Sequence, residues 1–366
     1  MLVQNQDYPT QHAWQMLELD LEIAKERSAK EIKAAGDVLR SNPALYVDAL
    51  NAESILLVTR WRSSHESAMK SVMRSLQRHA RVNHYKGIIS GREKRLRSIA
   101  AKLNRQPNMA LNTMQDIAGC RIVLDDAKSA DAFASSLRVK LSENPGSSSI
   151  VKETDYIRNP KADGYRSIHF VMAYKSANHP ELKARRVEVQ IRSQLQHRWA
   201  TALEAVDLFT GQTLKSGGGD PRWRRFFALA SSIFAFDEQC SPVPGMPISP
   251  RDGRAEMRQL ANDLYVVKRL QTWSSIMKDV LENQLSDSHT YLIELDAFAH
   301  TTRIRTYAPE STKEAHKNYV ESELSNSNQN HRSSVLVKAY SFAEVRQSFP
   351  GYYGDTKLFL KALNLA

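Results

Sequence analysis

The sequence predicts an α+β protein, with a mixed β-sheet flanked by helices in the middle of the chain and a second, small α+β domain after it. Three observations predict this. Between residues 120 and 192, short runs rich in β-branched residues alternate with one amphipathic helical stretch and with turn clusters, an order that a mixed sheet with helices satisfies. Two breaks follow, S-G-G-G-D at 216–220 and a segment at 241–252 holding Pro242, Pro244, Pro247 and Pro250. Beyond them the order strand, strand, helix, strand runs over the last stretch of the chain.

Composition narrows the class. The 366 residues suffice for two compact domains, and 42% apolar with 25% charged is ordinary for globular proteins. No apolar window spans a bilayer and no leader-like run opens the chain, so the expectation is a cytoplasmic protein with no membrane partner. The two cysteines, Cys120 and Cys240, are too few for a disulfide framework or a cysteine-rich zinc site. Lys and Arg outnumber Asp and Glu by 51 to 40, a balance of +11 that favours an anionic ligand, a nucleotide or an RNA.

Taken in order, residues 12–40 carry Trp14, Leu17, Leu21 and Ala24 at helical spacing, and Asn42-Pro43 ends that helix. A longer helix is expected over 52–82, with Leu57, Trp61, His65, Met69, Val72 and Leu76 on one face; His65 reads as a packed core histidine with no functional role. The stretch Ser90 to Leu103 reads as a helix in which Lys94, Ser98 and Lys102 fall on one face, with Gly91 and Arg92 at its entrance, a cradle for polyphosphate. Strands are expected at 120–125, 150–157, 167–175 and 186–192, with a helix near 128–141. A second helix at 194–209 opens on a capping box, Ser193 with Gln196. The aromatic helix 223–236 should dock on this unit. A helix at 254–284 follows, then strands at 290–295, 302–307 and 334–340, a helix at 310–324 and two helical turns. The expected domains are a helical region at 1–83, a core unit at 84–240, a linker and helix at 241–285, and an α+β unit at 286–366.

Two acids carry the chemistry. Asp116 stands at the mouth of one strand and Glu188 inside another, and two carboxylates on neighbouring strands can share Mg²⁺, which takes its other oxygens from water and phosphate. Arg92, Lys94 and Lys102 would then neutralise charge on a transferring phosphoryl group, with Glu188 also a candidate base. Arg121 should share a strand face with Val123 and Asp125. In the turn N-P-K-A-D-G-Y, Tyr165 offers a ring for a base to stack on and Lys161 a charge for the acceptor's phosphate. His169, Gln190 and Arg192 fit a polar lining.

In succession, G-R-x-K-x-x-x-S-x-x-x-K, D-I-x-G-x-R, N-P-K-x-x-G-Y-x-S-x-H and V-E-V-Q-I-R-S resemble the synthetase domain of the RelA/SpoT family over about residues 50–210. The resemblance implies a nucleotidyltransferase-like synthetase fold and an enzyme that moves pyrophosphate from ATP to a ribose 3′-hydroxyl and releases AMP. By motif it assigns Arg92, Lys94, Ser98 and Lys102, with Arg121, to ATP. Asp116 and Glu188 become the magnesium and catalytic carboxylates, and Lys161, Tyr165 and His169 the acceptor side, with Gln190 and Arg192 in support. Two places depart from the family: Asp163 stands where Asn is usual, and Lys152-Glu153-Thr154-Asp155 lacks the usual charge pattern. A negative charge at 163 would repel an acceptor diphosphate if it points inward.

No His-Asp hydrolase domain precedes this region and no long ribosome-binding tail follows it, so the expectation is a small member with a single activity. The C-terminal unit, ending F-P-G-Y-Y-G-D-T-K-L-F-L, resembles the sensing domain of CapRel-like proteins, in which a toxic synthetase is fused to its own antitoxin domain. That resemblance implies the 3′-CCA end of tRNA as acceptor, arrest of translation, release by a phage protein bound at the C-terminal domain, and Phe349 and Tyr352 as regulatory aromatics at the ATP site. GDP or GTP as acceptor, giving (p)ppGpp, is the alternative; a non-catalytic RNA or nucleotide binder is a third.

Overall fold

The computed structural model describes residues 28–42, 45, 51–143, 148–174, 185–247, 249–276, 290–296, 298–299, 301–326, 332–338 and 356–365. Its frame is one sheet. The strands are β1 (Gly87–Glu93), β2 (Ala118–Leu124), β3 (Ser148–Asp155), β4 (Ile168–Tyr174), β5 (Arg186–Ser193), β6 (Thr290–Asp296), β7 (Thr301–Tyr307) and β8 (Arg332–Lys338), in the spatial order β3-β4-β5-β2-β1-β8-β6-β7. β2 and β5 run parallel, and every other described pairing is antiparallel. The sheet is thus mixed, as the sequence predicts.

Period-two alternation divides its two faces. Cys120, Ile122 and Leu124 of β2, Val187, Val189 and Ile191 of β5, and Ile168, Phe170 and Met172 of β4 point one way. They form a core with Met69, Val72, Met73 and Leu76 of the helix Glu66–Val82 and with Phe133, Ala134 and Leu137 of the helix Ala127–Glu143. Phe133 is fully buried there, and truncating such a ring to alanine costs about 3–5 kcal/mol. The other face is polar and carries the candidate site.

Three predicted elements are corrected. Ser90 to Leu103 is not one helix: residues 87–93 pair as β1, and the helix covers only Leu96–Arg105. Gly91 is therefore no entrance to a helical cradle. It lies on the core face of β1, where a β-carbon would stand 2.5 Å from Met73 Sδ and 3.2 Å from Met69 Sδ, so the glycine lets the helix Glu66–Val82 close on the strand. The helix expected over 52–82 is two, Ala52–Ser63 and Glu66–Val82. His65 sits at the joint, 2% exposed, its Nδ1 against the Trp61 carbonyl at 2.8 Å and its pKa pushed down to about 4 by burial. The helix expected at 254–284 is likewise broken into Pro250–Asp263 and Val266–Ile276, with Tyr265 between them at φ 51°. Pro250, read as linker, is the first residue of the earlier one, where a missing N–H costs nothing.

A second core forms behind the site. The helix Gln194–Thr210 begins with the expected capping box, and Trp199 Nε1 donates to the Phe227 carbonyl of the helix Pro221–Asp237 at 2.7 Å. Phe359, from the short helix Lys357–Ala362, stacks on Phe227 and meets Phe226 and Phe234 edge-on. The C-terminal strands do not form a separate sheet: β8 pairs with β1 through Gly91–Lys338 and Arg92–Val337, and the helix Thr312–Ser325 packs Val320 and Leu324 against Leu96, Ile99 and Leu103. Phe349 and Tyr352, together with the expected helix before residue 28, lie outside the described residues. No helix among the described residues is long and apolar enough to cross a membrane.

Candidate active site

The polar face of the sheet is built by register. Ser90, Arg121, Gln190 and His169 stand side by side across β1, β2, β5 and β4, and the next row holds Arg92, Gly119, Glu188 and Val171. Gly119 matters through what it lacks. A β-carbon there meets only the Glu188 carbonyl oxygen, at 3.6 Å, so the glycine keeps open a hollow lined by Ser90, Arg92, Arg121 and Gln190. Burial, with Arg192 and Arg92 close by, works against the charge on Arg121, and such crowding of cations is what an anion would relieve.

Asp116 sits just before β2. Lys94 Nζ donates to its Oδ2 at 2.9 Å and Lys102 Nζ to its Oδ1 at 2.8 Å. The two lysines come from different elements: Lys94 lies between β1 and the helix Leu96–Arg105, and Lys102 lies on that helix one turn past Ser98. Ser98 is half-buried on the Lys102 side. Burial would raise the pKa of Asp116, but Lys94 and Lys102 hold it below the ordinary value, against a smaller opposing effect from the charge of Glu188. Lys94 is itself pushed below the usual lysine value by burial, against the pull of Asp116 and with Lys102 and Arg92 adding to the depression.

Glu188 is held by two arms. Arg192 donates to the Tyr165 hydroxyl at 2.8 Å, that hydroxyl lies 2.7 Å from His169 Nε2, and His169 Nδ1 lies 3.1 Å from Glu188 Oε1. In the other arm Arg192 donates to Gln190 Oε1 at 2.8 Å, and Gln190 Nε2 donates to Glu188 Oε2 at 2.7 Å. The Glu188 carboxylate can only accept, so His169 donates to it from Nδ1, while the Tyr165 hydroxyl bridges Arg192 and Nε2. Burial alone would raise Glu188, but the hydrogen bond and charge of His169, the Gln190 hydrogen bond and the charge of Lys94 bring it down to about 2.

Tyr165 ends the turn that begins at Lys161. Its backbone N–H donates to Asp163 Oδ1 at 2.8 Å, so the carboxylate closes the turn as an asparagine oxygen would. Gly164, at φ 93°, presses on the helix Pro221–Asp237, and Ser231 donates to its carbonyl at 2.6 Å. Lys161 Nζ lies 5.2 Å from the centre of the Tyr165 ring and 4.6 Å from that of Tyr156. Tyr156 meets Tyr165 and His169 edge-on, an aromatic neighbour that no motif pointed to. Also missed were Glu204, whose surroundings include Arg92 and Arg121, and its ion-pair partner Lys215. Both lie after the last motif, and only the fold brings them near.

The structure thus gathers Arg92, Lys94, Lys102, Asp116, Arg121, His169, Glu188, Gln190, Arg192 and Tyr165 on one side of the sheet, with Lys161 at its rim. Lys94 acts on both acids, paired to Asp116 and lowering Glu188. Two ionised, oxygen-only carboxylates are a donor set that suits a hard divalent cation, and each oxygen keeps lone-pair capacity beyond the contacts above.

Comparison with known proteins adds the following. Residues 91–208 match the family described as a region found in RelA / SpoT proteins. The chain is 34% identical over 164 residues to the GTP pyrophosphokinase YjbM of Bacillus subtilis, covering 43% of this chain and 71% of that one. It is 28% identical over 128 residues to the probable chloroplastic GTP diphosphokinase RSH3 of Arabidopsis thaliana, covering 35% of this chain and 17% of that one. Among solved structures, small alarmone synthetase 1 from Bacillus subtilis bound to its product pppGpp aligns with a TM-score of 0.42 at 24% identity, over 49% of this chain and 92% of that one.

Proposed function

The chain belongs to the RelA/SpoT family and is a pyrophosphokinase, and from that premise we propose that it moves the β,γ-pyrophosphoryl group of ATP to the ribose 3′-hydroxyl of a guanosine nucleotide. In this reaction the 3′-oxygen attacks the β-phosphorus and gives up its proton to Glu188 and from there to solvent, the bond from that phosphorus to the α,β-bridging oxygen breaks, and AMP leaves with the electron pair. The observation that carries the reading is the convergence of Lys94 and Lys102 on Asp116 beside a Glu188 held ionised.

Each residue then has a task. Arg92, Lys94, Ser98, Lys102 and Arg121 bind the triphosphate and offset the charge that spreads over its oxygens during transfer. Asp116 and Glu188 would hold Mg²⁺, which when bound supplies further neutralisation of phosphate charge. Glu188 receives and orients the acceptor hydroxyl; at a pKa of about 2 it is a weak base, so alignment is its larger contribution. Lys161 and Tyr165 meet the acceptor's phosphate and base.

A guanosine nucleotide is favoured by the named activities of the relatives and by Asp163, whose carboxylate is turned into its own turn. A second reading, the 3′-CCA end of tRNA, rests on the +11 charge, since a long anionic acceptor gains more from a basic surface. It carries with it the toxin–antitoxin role, in which Phe349 and Tyr352 cover the ATP site until a phage protein binds. Incubation with γ-labelled ATP and either GDP or deacylated tRNA separates the two. Label on the guanosine nucleotide is expected, label on tRNA alone would install the second reading, and label on neither, also in the folded Phe349→Ala, Tyr352→Ala protein, would overturn both. For the regulatory reading, the double substitution Phe349→Ala, Tyr352→Ala should raise activity.

A further inference from the structure

The helix Leu96–Arg105, which carries Ser98 and Lys102, does not support its own start. Arg95 at its N-cap makes no side-chain cap, the first turn holds no acid, and Arg95 and Arg97 put positive charge at the positive end of the helix dipole. The missing acceptor comes from the C-terminal unit, 227 positions away. Glu323 Oε1 accepts from the Leu96 N–H at 2.9 Å.

The same side chain grips the segment that carries Lys94. Glu323 Oε2 accepts from Arg62 at 2.6 Å, and Arg62, fully buried, lies 3.5 Å from Glu93 Oε2 and donates to the Lys94 carbonyl at 3.4 Å. Glu93 in turn meets His316 Nε2 at 2.9 Å, and Tyr319 places its ring 4.6 Å from the Arg62 guanidinium. His316, Tyr319 and Glu323 come from one helix, so a single C-terminal face holds both chain segments that bear the phosphate-binding groups. Glu66, Glu93 and His316 lie within 4.8 Å of one another, the spacing of a metal site, but Lys338 and Arg62 already supply the positive charge an ion would bring.

We infer that Glu323 is a positioning residue for pyrophosphate transfer, fixing Lys94, Ser98 and Lys102 by capping the helix start at Leu96 and anchoring Arg62 beneath it. Through this contact the C-terminal unit is part of the ATP site's support. The inference rests on the proposed phosphate role of Lys94 and Lys102.

The test measures binding of α,β-methylene ATP to the full-length protein, alongside the KM for GDP or deacylated tRNA, whichever takes label. In Glu323→Ala the Kd for the nucleotide should rise about tenfold, the equilibrium worth of one lost cap, while the acceptor KM stays within about twofold. Glu323→Gln, which keeps an acceptor for Leu96, should recover most of the loss. An unchanged Kd in folded Glu323→Ala, or an equal loss on both substrates, overturns the inference. Should that variant not fold, Glu323→Asp, which keeps the charge but withdraws one methylene from Leu96, is judged by the same criteria. Lys102→Ala serves as the control. If it leaves the Kd unchanged, the phosphate role falls and this inference with it; if it weakens binding while Glu323→Ala does not, this inference alone falls.

Discussion

Arg192 is joined to Glu188 twice, through Tyr165 and His169 on one side and through Gln190 on the other. Both oxygens of Glu188 receive a hydrogen bond, one from His169 Nδ1 and one from Gln190 Nε2. Tyr165 therefore has a task besides offering its ring: its hydroxyl bridges Arg192 and His169.

Tyr165→Phe separates those tasks, because it keeps the ring and removes the hydroxyl. With His169 Nε2 no longer held, the imidazole is free to turn away from Glu188, and kcat should fall roughly 10–100-fold, the usual cost of losing a group that orients a reacting one. The acceptor KM should change much less than in Tyr165→Ala. Steady-state kinetics on the three proteins checks this, and equal KM values in Phe and Ala variants would remove the ring from acceptor binding.

His169→Ala acts on Glu188 itself. Burial favours the protonated acid, and the His169 hydrogen bond is the largest of the effects that hold it down to about 2. Without it the pKa must rise. The acid limb of the pH profile of kcat/KM should then lie at higher pH than in the wild type. In stability terms, Glu188 contributes above its unfolded value of 4.5 and loses that contribution as pH falls through about 2, and the variant should lose it at higher pH.

Gly119→Val should dissociate binding from folding. The added β-carbon meets nothing within 4 Å except the Glu188 carbonyl oxygen, and the methyls beyond it extend into open space, so the unfolding free energy should stay within about 0.5 kcal/mol of the wild type. The same side chain enters the hollow between Arg92, Arg121 and Gln190. ATP-analogue binding should weaken more than about tenfold, a steric loss of more than about 1.4 kcal/mol. Calorimetry and thermal unfolding on one sample decide it.

What the sequence made legible was whatever local pattern controls. The strands at β2, β4 and β5, the capping box of Ser193 and Gln196, and the motif residues of the site all follow from period-two alternation or fixed spacing. The run from Ser90 was misread because its helix-favouring residues, Arg97 to Leu103, outweighed the two isoleucines before it, although β1 gains its partners from β2 and β8, far off in sequence. Nothing local marks His65 as a helix joint or Tyr265 as a break with positive φ. Non-local pairing also hid the shared sheet, since β8 joins β1 across 245 positions between Arg92 and Val337. Glu204 and Lys215 came near the arginines for the same reason.

Asp116→Asn tests the carboxylate that both lysines share. An amide offers one oxygen in place of two, so either Lys94 or Lys102 loses its partner while the pair's mutual repulsion stays. Turnover should drop about 10²–10³-fold, in line with losing a preorganised charge at a phosphoryl site. The fold should survive at a cost of roughly 1–3 kcal/mol, and circular dichroism with urea unfolding separates the two effects.

The last prediction concerns pH and the C-terminal helix. His316 Nδ1 faces the Thr312 carbonyl at 2.9 Å and Nε2 faces Glu93 at 2.9 Å, with Glu66 3.7 Å from Nε2. Both ring nitrogens meet acceptors, so both must donate, and the ring is an imidazolium. Burial opposes that charge, but Glu93 and Glu66 overcome it and raise the pKa above 6.5, with Lys338 and Arg62 as the nearby cations of the same cluster. A group raised in the folded state contributes in full below its unfolded value and loses that contribution as pH climbs through the folded one. The wild type should therefore be most favoured over His316→Gln below pH 6.5, and the gap in unfolding free energy should narrow steadily on the alkaline side. Because Glu93 precedes Lys94 and His316 shares its helix with Glu323, affinity for α,β-methylene ATP should weaken over the same interval. Parallel urea titrations and binding measurements from pH 6 to pH 9 would show this, and a gap that stays constant across that range would remove the imidazolium from the cluster.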